Sequence, residues 1–274
     1  MKRKLFCEIS PFTYWISKQK NIIMRNMRDR LNNVSFATKK SDSELPFLIF
    51  EHKSLIRRVL GNIDMTFQEN KAVNLALSAP KINKVLIYPG EIFSFWKLVG
   101  KCKASKGYKR GLTISNSKVG DDIGGGMCQF TNLLYWLVLH SPLKVIEHHH
   151  HDDFDLFPDY DRKVPFGTGT SITYNYLDLR IKNDTDSIFQ FVVYVTDTYL
   201  NGELRSSEEL NFEYEIRTDQ ERFVRESDGV YRKGLVYRKC IDKRTNEVVF
   251  SECIRKNNAK VMYEIDELIV EGNK

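Results

Sequence analysis

The segment IGGGMCQFTNLLYWLVLH, residues 123–140, joins three consecutive glycines to the longest apolar run of the chain. From Cys128 to His140 nearly every position is apolar, and Ser141-Pro142 ends the run. Such a run is too long for a typical strand, and apolar residues on all sides indicate a helix with no solvent-facing side. The sequence therefore predicts a buried helix that begins at Cys128.

Shorter elements are predicted on both sides of this helix. A helix from Asn70 to Leu77 is expected to stop before Pro80. Strands are predicted at Val85–Tyr88, at Gly111–Ser115 and, after the buried helix, at Lys144–Glu147. The central part of the chain is therefore mixed in its secondary structure.

The two ends of the chain differ from this centre. Residues 14–60 have apolar positions at helical spacing, which predicts two or three helices, the last of them over Leu48 to Val59. Beyond residue 170, strands are predicted at 172–181 and 188–199, with a hairpin turn at Asn201-Gly202 and antiparallel strands to the end. The order predicts an α+β fold with a helical region at 1–60, a core at 61–200 and a β-rich extension at 201–274.

Composition excludes several classes of protein. The net charge of +6 is spread along the chain among acidic residues, unlike a nucleic-acid-binding arm. The five cysteines are odd in number and form no CxxC pair, which favours reduced thiols over a disulfide framework or a zinc ribbon. We expect no nucleic-acid partner.

The N-terminus is basic, but Glu8, Ser10 and Pro11 interrupt any apolar run of the length that a signal peptide needs. No segment reaches the roughly 20 apolar residues of a membrane-spanning helix. The sequence predicts a cytoplasmic protein without a transmembrane segment. The basic N-terminal helices are either a solvated covering layer or a contact with anionic membrane or polymer surfaces.

Cys128 has the setting of a reactive thiol. At a helix start, unpaired backbone amides and the positive end of the helix dipole favour a thiolate. Gly124, Gly125 and Gly126 can adopt left-handed conformations and direct their amides at an oxyanion, and Gln129 can add a side-chain donor. The alternative is a tight turn in front of a small buried cysteine.

A base for this thiol is available in the run Glu147-His148-His149-His150-His151. Since the strand at 144–147 returns toward the start of the helix, it can bring an imidazole beside the sulfur. Neighbouring residues of a strand point to opposite sides, so His149 and His151 form one set and His148 and His150 the other. The histidines and the aspartates that follow also suit a divalent metal, but we expect adventitious affinity rather than a metal cofactor.

The chain resembles the VanW family, which is named for an accessory protein encoded in B-type vancomycin-resistance clusters. The resemblance rests on motifs in a fixed order over about half of the chain. They are DMTFQENK at 64–71, YPGEIFSFW at 88–96, GGGMCQ at 124–129, EHHHH at 147–151, LDL at 177–179 and NDTD at 183–186.

The resemblance implies a cysteine-dependent L,D-transpeptidase that forms a thioester with a peptidoglycan stem peptide and passes the acyl group to an amine. The nucleophile is then Cys128, and the family pattern ERHxH places its histidines at His149, the preferred base, and His151. Trp96 then lines a peptide groove, although an aromatic residue beside a buried strand is more often part of the core. The implied partner is a stem peptide or precursor, with no cofactor.

Two departures keep a second hypothesis open, that of a non-catalytic accessory or binding protein of the resistance pathway. Many relatives carry Asp-Ala-Thr where this chain has Gly169-Thr170-Ser171. A carboxylate that orients the histidine is then missing, and Asp178 or Asp152 are candidates to replace it. Cross-linking enzymes also work outside the membrane, whereas this chain shows no export signal. The sequence does not determine the oligomeric state.

Overall fold

A computed structural model describes residues 5–58, 64–115, 118–150, 154–156, 158–159, 164–266 and 269–271. Within these ranges the helices are α1 (Pro11–Leu31), α2 (Thr66–Ile82), α3 (Phe95–Val99) and α4 (Met127–Leu139). The strands are β1 (Phe47–Leu55), β2 (Val85–Ile87), β3 (Ile92–Ser94), β4 (Arg110–Ser115), β5 (Lys118–Ile123), β6 (Lys144–Glu147), β7 (Phe154–Asp155), β8 (Arg180–Lys182), β9 (Phe189–Val195), β10 (Tyr199–Ser206), β11 (Phe212–Glu226), β12 (Gly229–Asp242), β13 (Val248–Val261) and β14 (Val270–Glu271). The predicted α+β class is confirmed.

The buried helix predicted from residue 128 is α4, and most of its side chains lie in the hydrophobic core. It packs on an antiparallel sheet with the strand order β1-β10-β9-β2, and α2 covers β9 of the same sheet. Because α4 is apolar on nearly every side, its burial against this sheet removes more apolar area from water than an amphipathic helix would.

Asn201-Gly202 lies inside β10, so the predicted hairpin turn there is wrong. The connection between β9 and β10 comes earlier, at residues 196–198. A Cβ at Gly202 would lie 2.9 Å from a methyl carbon of Leu133 and 3.0 Å from one of Leu137. The glycine therefore allows close packing of α4 on the strand and does not form a turn.

The predicted second helix near residue 48 is also wrong, because Phe47–Leu55 is strand β1 at the edge of this sheet. Its apolar positions fit a helix and a half-exposed strand equally well, and pairing with β10 decides between them. The first 60 residues thus contribute a strand to the sheet of the core, while the proposed domain boundaries stay a prediction.

Two further local predictions need correction. Pro80 lies in the last turn of α2, where its missing amide costs one hydrogen bond and the helix continues to Ile82. Of the predicted strand at 172–181, the structure has only β8, because Asn175 takes a left-handed φ of 48° in a turn. The strands predicted at 85–88, 111–115 and 144–147 are confirmed as β2, β4 and β6, within one residue.

Two smaller sheets and one large sheet complete the fold. Strands β4 and β5 form a hairpin that leads into α4, and β3-β8-β6 form a three-stranded antiparallel sheet. The large sheet has the order β14-β11-β12-β13-β7, with the three long central strands antiparallel. Arg238 of β12 donates to the carbonyl oxygen of Leu139 at 2.9 Å and so ties this sheet to the end of α4.

Candidate active site

The start of α4 is shaped by its three glycines. Gly124 and Gly126 have φ of 86° and 98°, in the left-handed region that glycine favours. A Cβ at Gly125 would lie 2.1 Å from the carbonyl carbon of Gly111, so strand β4 and the turn touch backbone to backbone. The glycines therefore let the chain turn sharply against β4 before Met127 begins the helix.

Cys128 is the second residue of α4 and is half-buried. Burial raises the pKa of its thiol above the usual value, while the backbone amide of Ile172 and its own amide, both directed at the sulfur, lower it less. The expected helix-stabilised thiolate is therefore not the resting state, because desolvation outweighs the amides. A neutral thiol at this position needs a base before it can attack a carbonyl carbon.

The segment 169–172 connects the start of α4 to the histidine run. The amide of Thr170 donates to Asn132 Oδ1 at 2.6 Å, and its hydroxyl donates to the carbonyl oxygen of Cys128 at 3.3 Å. The amide of Ser171 donates to the carbonyl oxygen of His149 at 2.7 Å. The amide of Thr170 thus faces α4 and the amide of Ser171 faces the histidine run. The segment 169–172 therefore lies between the backbone of Cys128 and that of His149.

The histidines separate into two sets, as the strand alternation predicts. The ring of His148 stacks on Tyr135 of α4 with 4.1 Å between centroids, and its Nε2 lies 2.9 Å from the carbonyl oxygen of Gly169. The Arg255 guanidinium donates to His150 Nδ1 at 3.2 Å. Since Cys128, Asn132 and Tyr135 share one side of α4, His148 and His150 lie on the thiol-bearing side of that helix.

His149 instead contacts Glu147, with 2.9 Å between Nε2 and the carboxylate oxygen Oε1. The pair has the arrangement of a carboxylate that orients an imidazole. Glu147 therefore takes the orienting position for which the sequence suggested Asp178 or Asp152. Asp152 and His151 lie outside the described residues, so the second predicted histidine has no described position.

Glu147 is the centre of a charge network. Burial alone would raise the pKa of its carboxyl group, but hydrogen bonds from His149, from Arg25 and from the amide of Asp178 lower that pKa to about 2. Arg25 holds both carboxylate oxygens, at 2.5 and 2.7 Å. Glu147 is therefore a carboxylate at neutral pH and can stabilise a positive charge on His149.

Asp178 and Arg180 extend the network into the core and to α1. Asp178 is fully buried and accepts hydrogen bonds from the Ser94 hydroxyl at 2.5 Å and from the Trp96 amide at 3.1 Å. Arg180 pairs with Asp29 of α1 through two bonds of 2.7 and 2.8 Å. Asp178 thus holds α3 in place rather than orienting a histidine.

The structure gives the remaining predicted residues other contacts. The indole of Trp96 is buried and donates to the carbonyl oxygen of Leu177 at 3.0 Å. The side-chain amide of Gln129 donates to Ser54 and Leu55 of β1, at 2.9 and 2.8 Å. The amides of Gly124 and Gly125 donate to carbonyl oxygens of residues 109 and 122. A substrate has to compete with these contacts for the same donors.

Sequence reasoning missed Lys71, which packs beside the thiol-bearing turn. Its side-chain carbons would be 2.2 Å from a Cβ at Gly126, and its ammonium group donates to Gln68 at 2.6 Å. Burial first, and then the charges of Arg58 and Arg57, lower the pKa of Lys71 to about 8. A lysine on an amphipathic helix gives no sequence signal that it is buried. Arg25 and Asp29 lie 119 or more residues before the first histidine, and no local pattern indicates their contacts with Glu147 and Arg180.

A groove runs beside this site between β1 and α4. His52, Ser54 and Arg58 line one side, and Asn132 and Gly169 line the other. Among the described residues, no group of three histidine, cysteine or carboxylate side chains is placed to hold a metal ion. The described helices include none long and apolar enough to cross a bilayer.

Comparison with known proteins identifies the family. A family model described as "VanW like protein" matches residues 70–205, which include Cys128, the histidine run and Asp178. The curated vancomycin B-type resistance protein VanW of Enterococcus faecalis is 33% identical over 269 residues, covering 98% of this chain and 98% of that protein. The chain belongs to the VanW family. The resemblance drawn from the sequence motifs is confirmed.

A second curated protein matches a smaller part of the chain. The uncharacterized protein YoaR of Bacillus subtilis is 28% identical over 118 residues, which are 42% of this chain and 36% of that protein. No solved structure matches the chain. Similarity to the Enterococcus protein covers 98% of the chain and therefore includes α1, which lies outside the family model.

Proposed function

We propose that this VanW-family protein is a cysteine-dependent acyltransferase acting on peptidoglycan stem peptides, with Cys128 as nucleophile and His149 as base. Two observations support this most: Glu147 orients the imidazole of His149, and the segment 169–172 hydrogen-bonds both to the carbonyl oxygen of His149 and to that of Cys128. A thiol with a raised pKa needs a general base, and a base needs a group that orients it and stabilises its charged form. His151 is the second candidate base.

In the proposed reaction, His149 takes the proton of the Cys128 thiol as the sulfur bonds to the carbonyl carbon of the L,D peptide bond. The C–N bond breaks, and the leaving amine takes the proton from the imidazole. An acceptor amine then attacks the thioester carbonyl carbon and gives its proton to His149, a new amide bond forms as the C–S bond breaks, and the proton passes from His149 to the Cys128 sulfur. The amide of Gly126 and the side chain of Gln129 are the proposed oxyanion donors, and Trp96 is proposed to line the groove for the substrate peptide.

Turnover of a synthetic stem tetrapeptide in the presence of an acceptor amine tests this reaction. We expect chromatography to show the released terminal amino acid and the new amide, and Cys128→Ala to form neither. His149→Gln is expected to lower the rate about 100-fold or more, since a positioned base contributes at least that much. His150→Gln is the comparison variant from the other histidine set, on the thiol-bearing side of α4, and we expect a smaller effect from it; a larger loss than in His149→Gln would assign the base to that set. Undiminished product from folded Cys128→Ala would refute the proposal.

The second candidate is an accessory protein that binds stem peptides without turnover. It is favoured by the donors that are already engaged, namely the Gln129 amide and the Gly124 and Gly125 amides. If calorimetry shows that the natural protein and Cys128→Ser bind the tetrapeptide equally, and neither forms product, this candidate is selected.

For both candidates we propose a role in vancomycin resistance, from the name of the Enterococcus relative. Deletion of the gene should then lower the vancomycin concentration that the cells tolerate, and fractionation tests the predicted cytoplasmic location.

A further inference from the structure

Helix α1 has two different sides. Its inward side is polar and tied to the core by two ion pairs, Arg25 with Glu147 and Asp29 with Arg180. The outward side has apolar residues at separations of four or seven positions, which places them in one stripe along the helix. The stripe consists of Phe12, Ile16, Ile23, Met27 and Leu31.

Four of the five stripe residues face water, and Ile16 is half-buried. The exposed fractions are 67% for Phe12, 58% for Ile23, 58% for Met27 and 77% for Leu31. Trp15, at 55%, stacks on Phe12 with 6.2 Å between ring centroids. Single exposed apolar side chains are common on solvated helices, whereas a contiguous exposed patch of large ones marks an interaction surface.

The segment before α1 extends the patch. Leu5, Phe6 and Ile9 are exposed by 63%, 54% and 62%, and they lie directly before the cap residue Ser10. Glu8 is exposed in this segment, where its carboxylate accepts the amide of Leu5 at 2.8 Å. The exposed apolar surface therefore starts before the helix, covers its first turns and resumes from Ile23 to Leu31.

The charges of α1 distinguish between two binding partners for this surface, a second copy of the protein and an anionic bilayer. Lys20, Arg28 and Arg30 are exposed along the helix, whereas its one acidic residue, Asp29, is 14% exposed and paired inward with Arg180. A second copy docked symmetrically would bring the same cations together, with Glu8 as the one exposed carboxylate on the described part of this surface to offset them, which costs free energy. An anionic bilayer instead attracts the cations and accepts the apolar stripe.

We propose that α1 is an interfacial helix that docks this protein on the surface of an anionic bilayer, with its axis parallel to the membrane. The stripe from Phe12 to Leu31 enters the boundary between headgroups and acyl chains, and Lys20, Arg28 and Arg30 contact the phosphates. Since Arg25 fixes the opposite side of the helix to Glu147, docking places His149 about one helix diameter, about 10 Å, from the membrane surface. The inference does not depend on the proposed reaction.

Co-sedimentation of the full-length protein with vesicles tests the docking. We expect binding to vesicles of phosphatidylcholine with phosphatidylglycerol and much weaker binding to phosphatidylcholine alone. Ile23→Ser with Met27→Ser should weaken binding to the anionic vesicles about tenfold or more. Lys20→Gln with Arg30→Gln should weaken it about 25-fold, from about fivefold for each charge removed near the surface.

Strand β13 supplies a matched control. Val248 and Val249 are 53% and 55% exposed, nearly the same as Ile23 and Met27, but they lie on the large sheet. Val248→Ser with Val249→Ser should leave vesicle binding unchanged, and thermal melting verifies that each variant is folded. Absence of binding by the natural protein, or equal binding by Ile23→Ser with Met27→Ser, would overturn the proposal. The proposal would also be overturned if light scattering showed a dimer of the natural protein that Ile23→Ser with Met27→Ser dissociates, and the natural protein did not bind vesicles.

Discussion

Replacing Glu147 with glutamine is expected to lower the free energy of unfolding at pH 7 by about 3 kcal/mol. The carboxylate is 17% exposed, and it binds Arg25 and His149 as well as the amide of Asp178. Glutamine keeps the shape but removes the charge, which leaves a half-buried arginine without its partner. Urea denaturation of Glu147→Gln and the natural protein measures the difference.

The same carboxylate predicts how stability depends on pH. Its pKa in the folded protein is about 2, below the value of 4.5 expected without these contacts. The stabilisation is therefore complete above pH 4.5 and is lost as the pH falls toward 2. Between these limits the natural protein should lose stability more steeply than Glu147→Gln, so that the two unfolding curves converge in acid.

Glu69→Gln is the control for this prediction. Glu69 also pairs with an arginine, Arg57, at 2.6 Å, but the two side chains are 57% and 37% exposed. Exposed pairs add little to stability, so this variant should denature at nearly the same urea concentration as the natural protein. Equal effects of Glu69→Gln and Glu147→Gln would contradict the assigned role of the buried network.

Gly125→Ala is expected to destabilise the fold by about 3 kcal/mol, the upper end for an overpacked site. The new Cβ would lie 2.1 Å from the carbonyl carbon and oxygen of Gly111. Both contacts are backbone atoms of a paired strand, so no flexible side chain can move aside. Either β4 or the start of α4 has to shift, and peptide turnover should fall with stability because Cys128 moves with the helix.

Gly120→Ala is the matched control in the same hairpin. Its Cβ would meet only the Thr113 hydroxyl oxygen, at 3.8 Å, which is ordinary van der Waals contact. This variant should be as stable as the natural protein, since alanine loses less backbone entropy on folding than glycine. A Gly125→Ala protein that melts within a degree of Gly120→Ala would show that the close approach of Gly125 and Gly111 is not required.

The elements that sequence predicted correctly are those with a strong local signal. The helix α4 is apolar on nearly every side, and β2 is a short apolar run closed by Pro89-Gly90. Strand β1 was missed because its apolar positions fit both periods, and only pairing with β10, about 150 residues later, selects the strand. The turn predicted at Gly202 is wrong because the residues that require a glycine there, Leu133 and Leu137, lie on a helix distant in sequence.

In the candidate site too, features with a local sequence signal are predicted and features set by distant contacts are not. The position of Cys128 at the start of a buried helix follows from the glycines and the apolar run that surround it. The raised pKa of its thiol does not, because burial depends on the segment 169–172 and on the packing of the whole fold. Glu147 is adjacent to the histidines in the sequence, but its partner Arg25 lies 122 positions earlier, and only the fold brings the two together.

The intact mass of the protein after brief incubation with a stem tetrapeptide, without an acceptor amine, tests directly whether Cys128 is a nucleophile oriented as proposed. We expect one added acyl group that is mapped to Cys128, is released by hydroxylamine as a thioester is, and is absent from Cys128→Ala. His149→Gln should acquire it much more slowly, with thermal melting to verify that the variant is folded. An unmodified natural protein, or the same adduct on Cys128→Ala, would contradict a catalytic role for this thiol.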